Sequence, residues 1–189
     1  MMRPMTNIVV PDPLLADDVV LLRPWEPDDV EQILAACQDA AIQRFIPIPR
    51  PYGRADAEGY VARTQRQWGE GSKAAFAIVE RDDPDHLLGA INVAVFGAVG
   101  NSAYWVAPDA RGRGIAPRAL RLLTGWALGP VGLGVLLLEV HPDNAASLHV
   151  AREAGFTDAG QIEVADPAGG RVHRILVLLA SDRSARSGT

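Results

Sequence analysis

The chain has 189 residues, 48% apolar and 22% charged, a size and balance that give one domain with a full core rather than two. Its net charge of −5, with Lys73 the single lysine among 18 basic residues, argues against nucleic acid as the main partner. No apolar run reaches the roughly 18 residues of a membrane span, and Met1-Met2-Arg3-Pro4 lacks the apolar stretch of a secretory signal. The expected location is the cytoplasm, away from membranes.

The single cysteine, Cys37, excludes an internal disulfide framework. It falls on one face of a helix beginning near Val30 and reads as a buried structural thiol. His86, His141, His149 and His173 show no ligand-pair spacing, so no metal is expected.

Residues 1–16 are rich in Pro and Asp and residues 181–189 are small and polar, so both ends are expected to be loose around a single domain at 17–180. Val19–Arg23 reads as a strand, and Pro27-Asp28-Asp29 opens the helix holding Cys37. The prolines of Phe45–Tyr52 forbid regular structure and leave a loop with apolar side chains, a candidate wall for an acceptor. A helix over Arg54–Glu70 ends at Gly69 and Gly71, before the strand Ala74–Val79. Leu87–Phe96 follows as a strand, Gly97 and Gly100 bound a short loop, and Ser102–Val106 completes a meander.

The second half alternates. Pro117–Ala127 is helical, with Leu120, Leu123 and Trp126 on one side, and Val135–Val140 is an apolar run typical of a buried strand. Asn144–Ala154 is a helix. Strands near Phe156–Val164 and Val172–Leu179 flank the turn Asp166–Gly170. The class is α/β, a mixed sheet covered by helices.

The most informative stretch is Trp105–Pro117, which joins a strand to a helix through Arg111-Gly112-Arg113-Gly114-Ile115-Ala116. Glycines let backbone approach a bulky anion, Pro117 fits a first helical turn, and a helix N-terminus favours negative charge. Arg111 and Arg113 can add charge-assisted contacts. From spacing alone, a phosphorylated ligand and a plain tight connection both remain open. Two phosphate loops are excluded: no G-x-x-x-x-G-K-[ST] occurs, and Pro117 stands where G-x-G-x-x-G needs its last glycine.

The stretch resembles the acyl-CoA loop [QR]-x-x-G-x-[GA] of the GNAT acetyltransferase superfamily, filled by Arg111, Gly114 and Ala116. Leu138–Ser147 and Ala154-Gly155-Phe156 strengthen the resemblance, and Leu22-Arg23-Pro24-Trp25 with the Phe45–Tyr52 loop is similar to the ribosomal-protein N-terminal (RimJ/RimL-like) branch. The resemblance implies a mixed, mostly antiparallel sheet of six to seven strands with splayed central strands, flanked by helices. It also implies acetyl-CoA as cosubstrate, with backbone from Arg111 to Ala116 around its pyrophosphate. The pantetheine arm would lie between the strands ending at Trp105-Val106 and His141, pairing with the main chain of Val106. Asn144 would hydrogen-bond the arm, Ser147 would lie near the sulfur, and Asn144 also reads as a plain helix N-cap.

Transfer to an amine requires a proton acceptor, a donor to the carbonyl oxygen and departure of the thiolate. By resemblance, Glu139 stands on a buried strand at the position where a relative in the superfamily carries its base, a task that desolvation would suit, and a structurally satisfied glutamate is the competing reading. His141 shares its sheet face and is a second candidate. By resemblance, the oxygen would meet the amide of Val106 or Ala107. The tyrosine acid of some relatives is replaced by Ala151, which leaves Ser147 as donor to the sulfur.

The expected activity is N-acetyl transfer to a protein N-terminus or small-molecule amine by direct attack in a ternary complex. Trp25, Phe45, Ile48, Tyr52 and Trp105 are candidate acceptor-lining residues, with core packing the alternative for each. An acidic chain favours cationic acceptors such as amino sugars or polyamines, but a net charge this small decides little. A non-catalytic acyl-CoA-binding sensor is the alternative function, favoured by Ala151, and a homodimer stays open.

Overall fold

The computed structural model describes residues 8–164 and 171–180. Its strands are β1 (Leu15–Ala16), β2 (Val20–Pro24), β3 (Lys73–Glu80), β4 (Leu87–Phe96), β5 (Val99–Val106), β6 (Val135–Val140), β7 (Thr157–Val164) and β8 (Arg171–Leu179). The helices are α1 (Val30–Ala36), α2 (Ala40–Phe45), α3 (Arg54–Glu70), α4 (Ile115–Leu128) and α5 (Ala145–Glu153). All eight strands form one sheet in the order β1-β2-β3-β4-β5-β6-β8-β7. Each pairing is antiparallel except β5 with β6, where a parallel neighbour requires the long crossover supplied by α4.

The pattern of β3 shows why the sheet is sandwiched. Ala74 to Val79 are all 0% exposed, which a strand achieves only when both faces are covered. Ala74, Phe76 and Ile78 join Leu120, Leu123 and Trp126 of α4 in one cluster, while Ala75, Ala77 and Val79 join Ile33, Cys37 and Val61 of the α1–α3 side. Each buried Leu, Ile or Phe contributes about 1.5–3 kcal/mol relative to exposure.

The Leu22–Trp25 stretch has a structural task. Arg23, 7% exposed, sends Nη1 and Nη2 to the two Asp29 oxygens at 2.9 and 2.7 Å and also donates to the Pro84 carbonyl. Asp29 in turn accepts from the Glu26 amide at 2.8 Å. A bidentate pair of this kind ties β2, the turn before α1 and the β3–β4 connection together, and deleting one partner would leave a buried charge at a cost of about 3–5 kcal/mol.

Three expectations need correction. In the segment expected to be loose, Ile8 is buried at 2% and Leu15–Ala16 pairs with Leu21 and Leu22, which helps bring the strand count to eight rather than six or seven. Residues 1–7, the turn at 166–170 and the tail at 181–189 lie outside the described residues. Helix α2 stands just before the proline loop, capped by Asp39, which accepts from the Ile42 amide at 2.9 Å. Gly100 belongs to β5 rather than to a loop: a Cβ there would lie 2.6 Å from Leu136 Cδ2 and 2.7 Å from Val93 Cγ2, so the close pairing of β5 and β6 depends on it.

Candidate active site

Strands β5 and β6 part company partway along. They pair only from Val99–Ser102 to Val135–Leu138, after which Ala103–Val106 stays with β4 and Glu139–Val140 stays with β8. Among the described residues, one edge of β5 is therefore open from Ala103 onward. The Ala107 amide donates to Leu88 O at 2.9 Å, toward β4. Because successive strand residues alternate in the direction of their polar groups, the Val106 amide faces the gap. The expected oxyanion donor thus narrows to Val106, since Ala107 is already used.

Below the gap the chain turns into α4 through two left-handed residues, Gly112 at φ 74° and Gly114 at φ 72°. A Cβ at either position would meet nothing within 4 Å, so the requirement for glycine lies in the backbone conformation and not in space. Helix α4 starts at Ile115, two residues before the expected Pro117, and Gly114 is its cap. The first amides of a helix have no intrahelical partner, and together with the turn they form a positive concavity.

The two arginines of the turn are engaged elsewhere. Arg111 Nη2 lies 2.6 Å from Asp39 Oδ1 at the cap of α2, and Arg113 pairs with Glu80 of β3. The Arg111 guanidinium holds the Asp39 carboxyl below its ordinary value, and Arg113 does the same for Glu80. Both arginines therefore anchor the turn to neighbouring elements.

A cavity of about 660 Å³ joins the gap to the turn. Of the residues expected at a cosubstrate site, Trp105, Val106, Arg111, Gly112, Gly114, Ile115, Ala116, Asn144 and Ser147 line it, and Arg113 does not. Asn144 caps α5 by accepting from the Ser147 amide at 3.1 Å, which places the Ser147 side chain on the first turn of the helix. The Tyr104 phenol lies 2.8 Å from Ser147 Oγ, and burial pushes its pKa up. Tyr104 and the α2 residues Ala41 and Ile42 also line the cavity and were missed in the sequence. Tyr104 was within reach, because a period of two from Val106 puts it on the same side of the strand.

Glu139 and His141 lie near and just past the end of β6, and neither lines this cavity. The desolvation expected of Glu139 is not there: its side chain keeps 30% exposure and accepts from Asn101 Nδ2 at 2.6 Å. His173 Nδ1 lies 3.7 Å from Glu139 Oε2, and the rings of His141 and His173 are 6.2 Å apart. His141 Nδ1 accepts from the Asp143 amide at 3.2 Å, so in the neutral ring the proton sits on Nε2. No local signal marked His173, which is brought in by the β6–β8 pairing.

The expected acceptor residues divide. Phe45 and Trp105 line the cavity, and the Phe45 ring lies 5.7 Å from that of His141. Trp25 and Tyr52 are core residues at 2% and 7% exposure, and Ile48 packs against the same cluster; all three miss the cavity. Cys37 is buried, and burial pushes its thiol up to about 11, which leaves negligible thiolate at neutral pH. Among the described residues no group of three or more His, Cys, Asp or Glu side chains is placed to hold a metal, and no helix is long and apolar enough to cross a membrane.

Splayed central strands above a left-handed glycine turn are the α/β arrangement that the resemblance to acyl-CoA-binding acetyltransferases implies. Residues 20–157 match the Acetyltransferase (GNAT) domain family. The chain belongs to that family, that of acetyl-CoA-dependent N-acetyltransferases. No curated protein sequence matches it significantly. RimL, a ribosomal L7/L12 alpha-N-protein acetyltransferase solved with coenzyme A, is similar in structure with TM-score 0.79 at 16% identity, over 88% of this chain and 97% of its own. A ribosomal-protein-S5-alanine acetyltransferase from Vibrio fischeri gives 0.77 at 14%, over 89% and 97%. Mycobacterium smegmatis RimJ, solved with a CoA disulfide, gives 0.74 at 20%, over 89% of each chain. At these identities the likeness shows the fold alone.

Proposed function

We propose that the chain moves the acetyl group of acetyl-CoA to a primary amine, on a protein N-terminus or a small molecule, by direct attack in a ternary complex. The observation that carries this reading is the edge of β5 beyond Ser102, unpaired among the described residues, which leads to the Gly112–Gly114 turn. A pantetheine amide would take up the main-chain pairing that β6 leaves unmade. The pyrophosphate would sit on the amides between Arg111 and Ala116, and the amide nitrogen of Asn144 would meet the arm while its Oδ1 caps α5. The coenzyme complexes of RimL and RimJ support the same cosubstrate here.

In the transfer step the amine nitrogen bonds to the thioester carbon, the C–S bond breaks, and the ammonium proton leaves for Glu139, directly or through His141. The Val106 amide would steady the developing negative charge on the oxygen. Ser147 would donate to the departing sulfur; a thiol of ordinary pKa about 8.5 leaves without a strong acid, so Ala151 in place of a tyrosine is no obstacle. Acetyl-CoA incubated with a panel of peptides and small amines tests the reading. Release of free thiol that requires both protein and amine supports it, and tight acetyl-CoA binding without thiol release for any amine would favour a binding module.

A further inference from the structure

A second cavity, of about 400 Å³, lies beside the first and is lined by Ala40, Gln43, Arg44, Arg50, His141 and Asp143. The ring pair Phe45–His141 stands between the two, since Phe45 lines the larger and His141 the smaller. His141 follows directly on β6, two residues after Glu139, so an acceptor in the smaller cavity would lie at the end of the strand that carries the candidate base.

The charges around this mouth are lopsided. Arg44 is steadied from two sides, 3.0 Å from Asp143 Oδ2 and with its guanidinium carbon 5.0 Å from the Phe45 ring centroid. Asp143 answers one of the two guanidinium charges. Arg50 is exposed and has no ion pair among the described residues. The Gln43 amide is turned away onto the Cys37 carbonyl at 2.9 Å. The rim therefore carries one surplus positive charge on a chain whose net charge is −5. A surplus guanidinium repels a second ammonium group and forms charge-assisted pairs with a carboxylate or phosphate. It also favours the unprotonated form of a nearby amine, which is the form that attacks.

Building on the transferase reading, we propose that the acceptor carries an anionic group besides its amine, held by Arg50 with Arg44 at this rim, and that polyamines are poor acceptors. A peptide N-terminus with an acidic second residue is the form that we assign, and a phosphorylated amino sugar shares the chemistry.

The test compares C-terminally amidated peptides beginning Ser-Glu, Ser-Gln and Ser-Lys, together with glucosamine, glucosamine 6-phosphate and spermidine. Thiol release should give the Glu peptide a kcat/KM about three- to tenfold above the Gln peptide, with the Lys peptide and spermidine last. The gap should narrow as salt rises. Arg50→Glu should invert the peptide order while acetyl-CoA affinity stays unchanged. The sugar pair distinguishes the sources: a gain with the 6-phosphate alone would move the assignment from peptide to sugar. Equal rates for Glu and Gln with no gain from the phosphate, a lead for Lys or spermidine, or an order unmoved by Arg50→Glu would overturn the proposal. Fluorescence anisotropy of labelled peptides on the coenzyme A-loaded protein reads the same order without turnover. Absence of transfer to any amine would count against the transferase reading, and equal peptide binding would count against this one.

Discussion

The Tyr104 phenol and the Ser147 hydroxyl, on β5 and α5, are 2.8 Å apart at the wall of the larger cavity. If the phenol donates to Ser147 Oγ, the serine's own proton is left to point into the cavity, toward a leaving sulfur. Burial raises the phenol pKa, so Tyr104 keeps a proton that it can donate to Ser147 Oγ. Ser147→Ala and Tyr104→Phe should each lower kcat about tenfold or more, with acetyl-CoA affinity within about threefold of the parent. Steady-state kinetics beside calorimetry would show it. Unchanged kcat in both variants would remove the pair from the chemistry.

Glu139→Gln should keep the contact with Asn101, because the amide oxygen still accepts, and so should fold normally. It removes only the group that takes the amine proton. Turnover should fall about 10²-fold, and Glu139→Asp should restore part of it. A full rate in Glu139→Gln would pass the role to His141 or His173.

Gly114→Ala isolates the backbone requirement of the turn, since the added methyl has free space. An L-residue at φ 72° costs about 1–2 kcal/mol, so either stability falls by that amount or the turn relaxes and its amides lose their aim. The expected result is a Tm lower by about 2–8 °C and coenzyme A binding weakened about tenfold. Parental affinity at parental stability would mean that the left-handed cap has no part in the site.

The Arg111–Asp39 pair gives a pH signature. The guanidinium holds the folded-state carboxyl below its ordinary 3.8, so its contribution to stability is complete above that value and is lost as pH falls through the lower folded value. Arg111 is 41% exposed, and solvent screening limits the pair to about 1 kcal/mol or less. Asp39→Asn keeps a capping oxygen and deletes the charge. Denaturant unfolding should place it below the parent at pH 7, with the difference shrinking below pH 3.8. A difference that persisted at low pH would assign the loss to the cap instead.

Much of the fold could be read from apolar runs. Leu87–Phe96 and Val135–Val140 are strands with the bounds their composition gave, because buried strands need unbroken apolar sequence. The short helix α2 was hidden by the prolines that follow it, although Asp39 before Ala40-Ala41-Ile42 is a capping signal. The glycine turn was legible because positive φ selects glycine. Its anchor was not: Asp39 is 72 residues from Arg111, and nothing local links them. Trp25 and Tyr52 were misplaced because aromatic composition does not distinguish a core ring from a cavity wall. The network of Asn101, Glu139 and His173 comes from strand order, which no single segment encodes.

Isothermal titration of folded protein with acetyl-CoA and with free coenzyme A bears most directly on the splayed strands and the glycine turn as a cosubstrate cradle. Saturable heat near one ligand per chain, for both compounds and weakened by Gly114→Ala, is the predicted result. Absence of heat with either ligand, from protein whose circular dichroism and cooperative melting show it to be folded, would contradict the account.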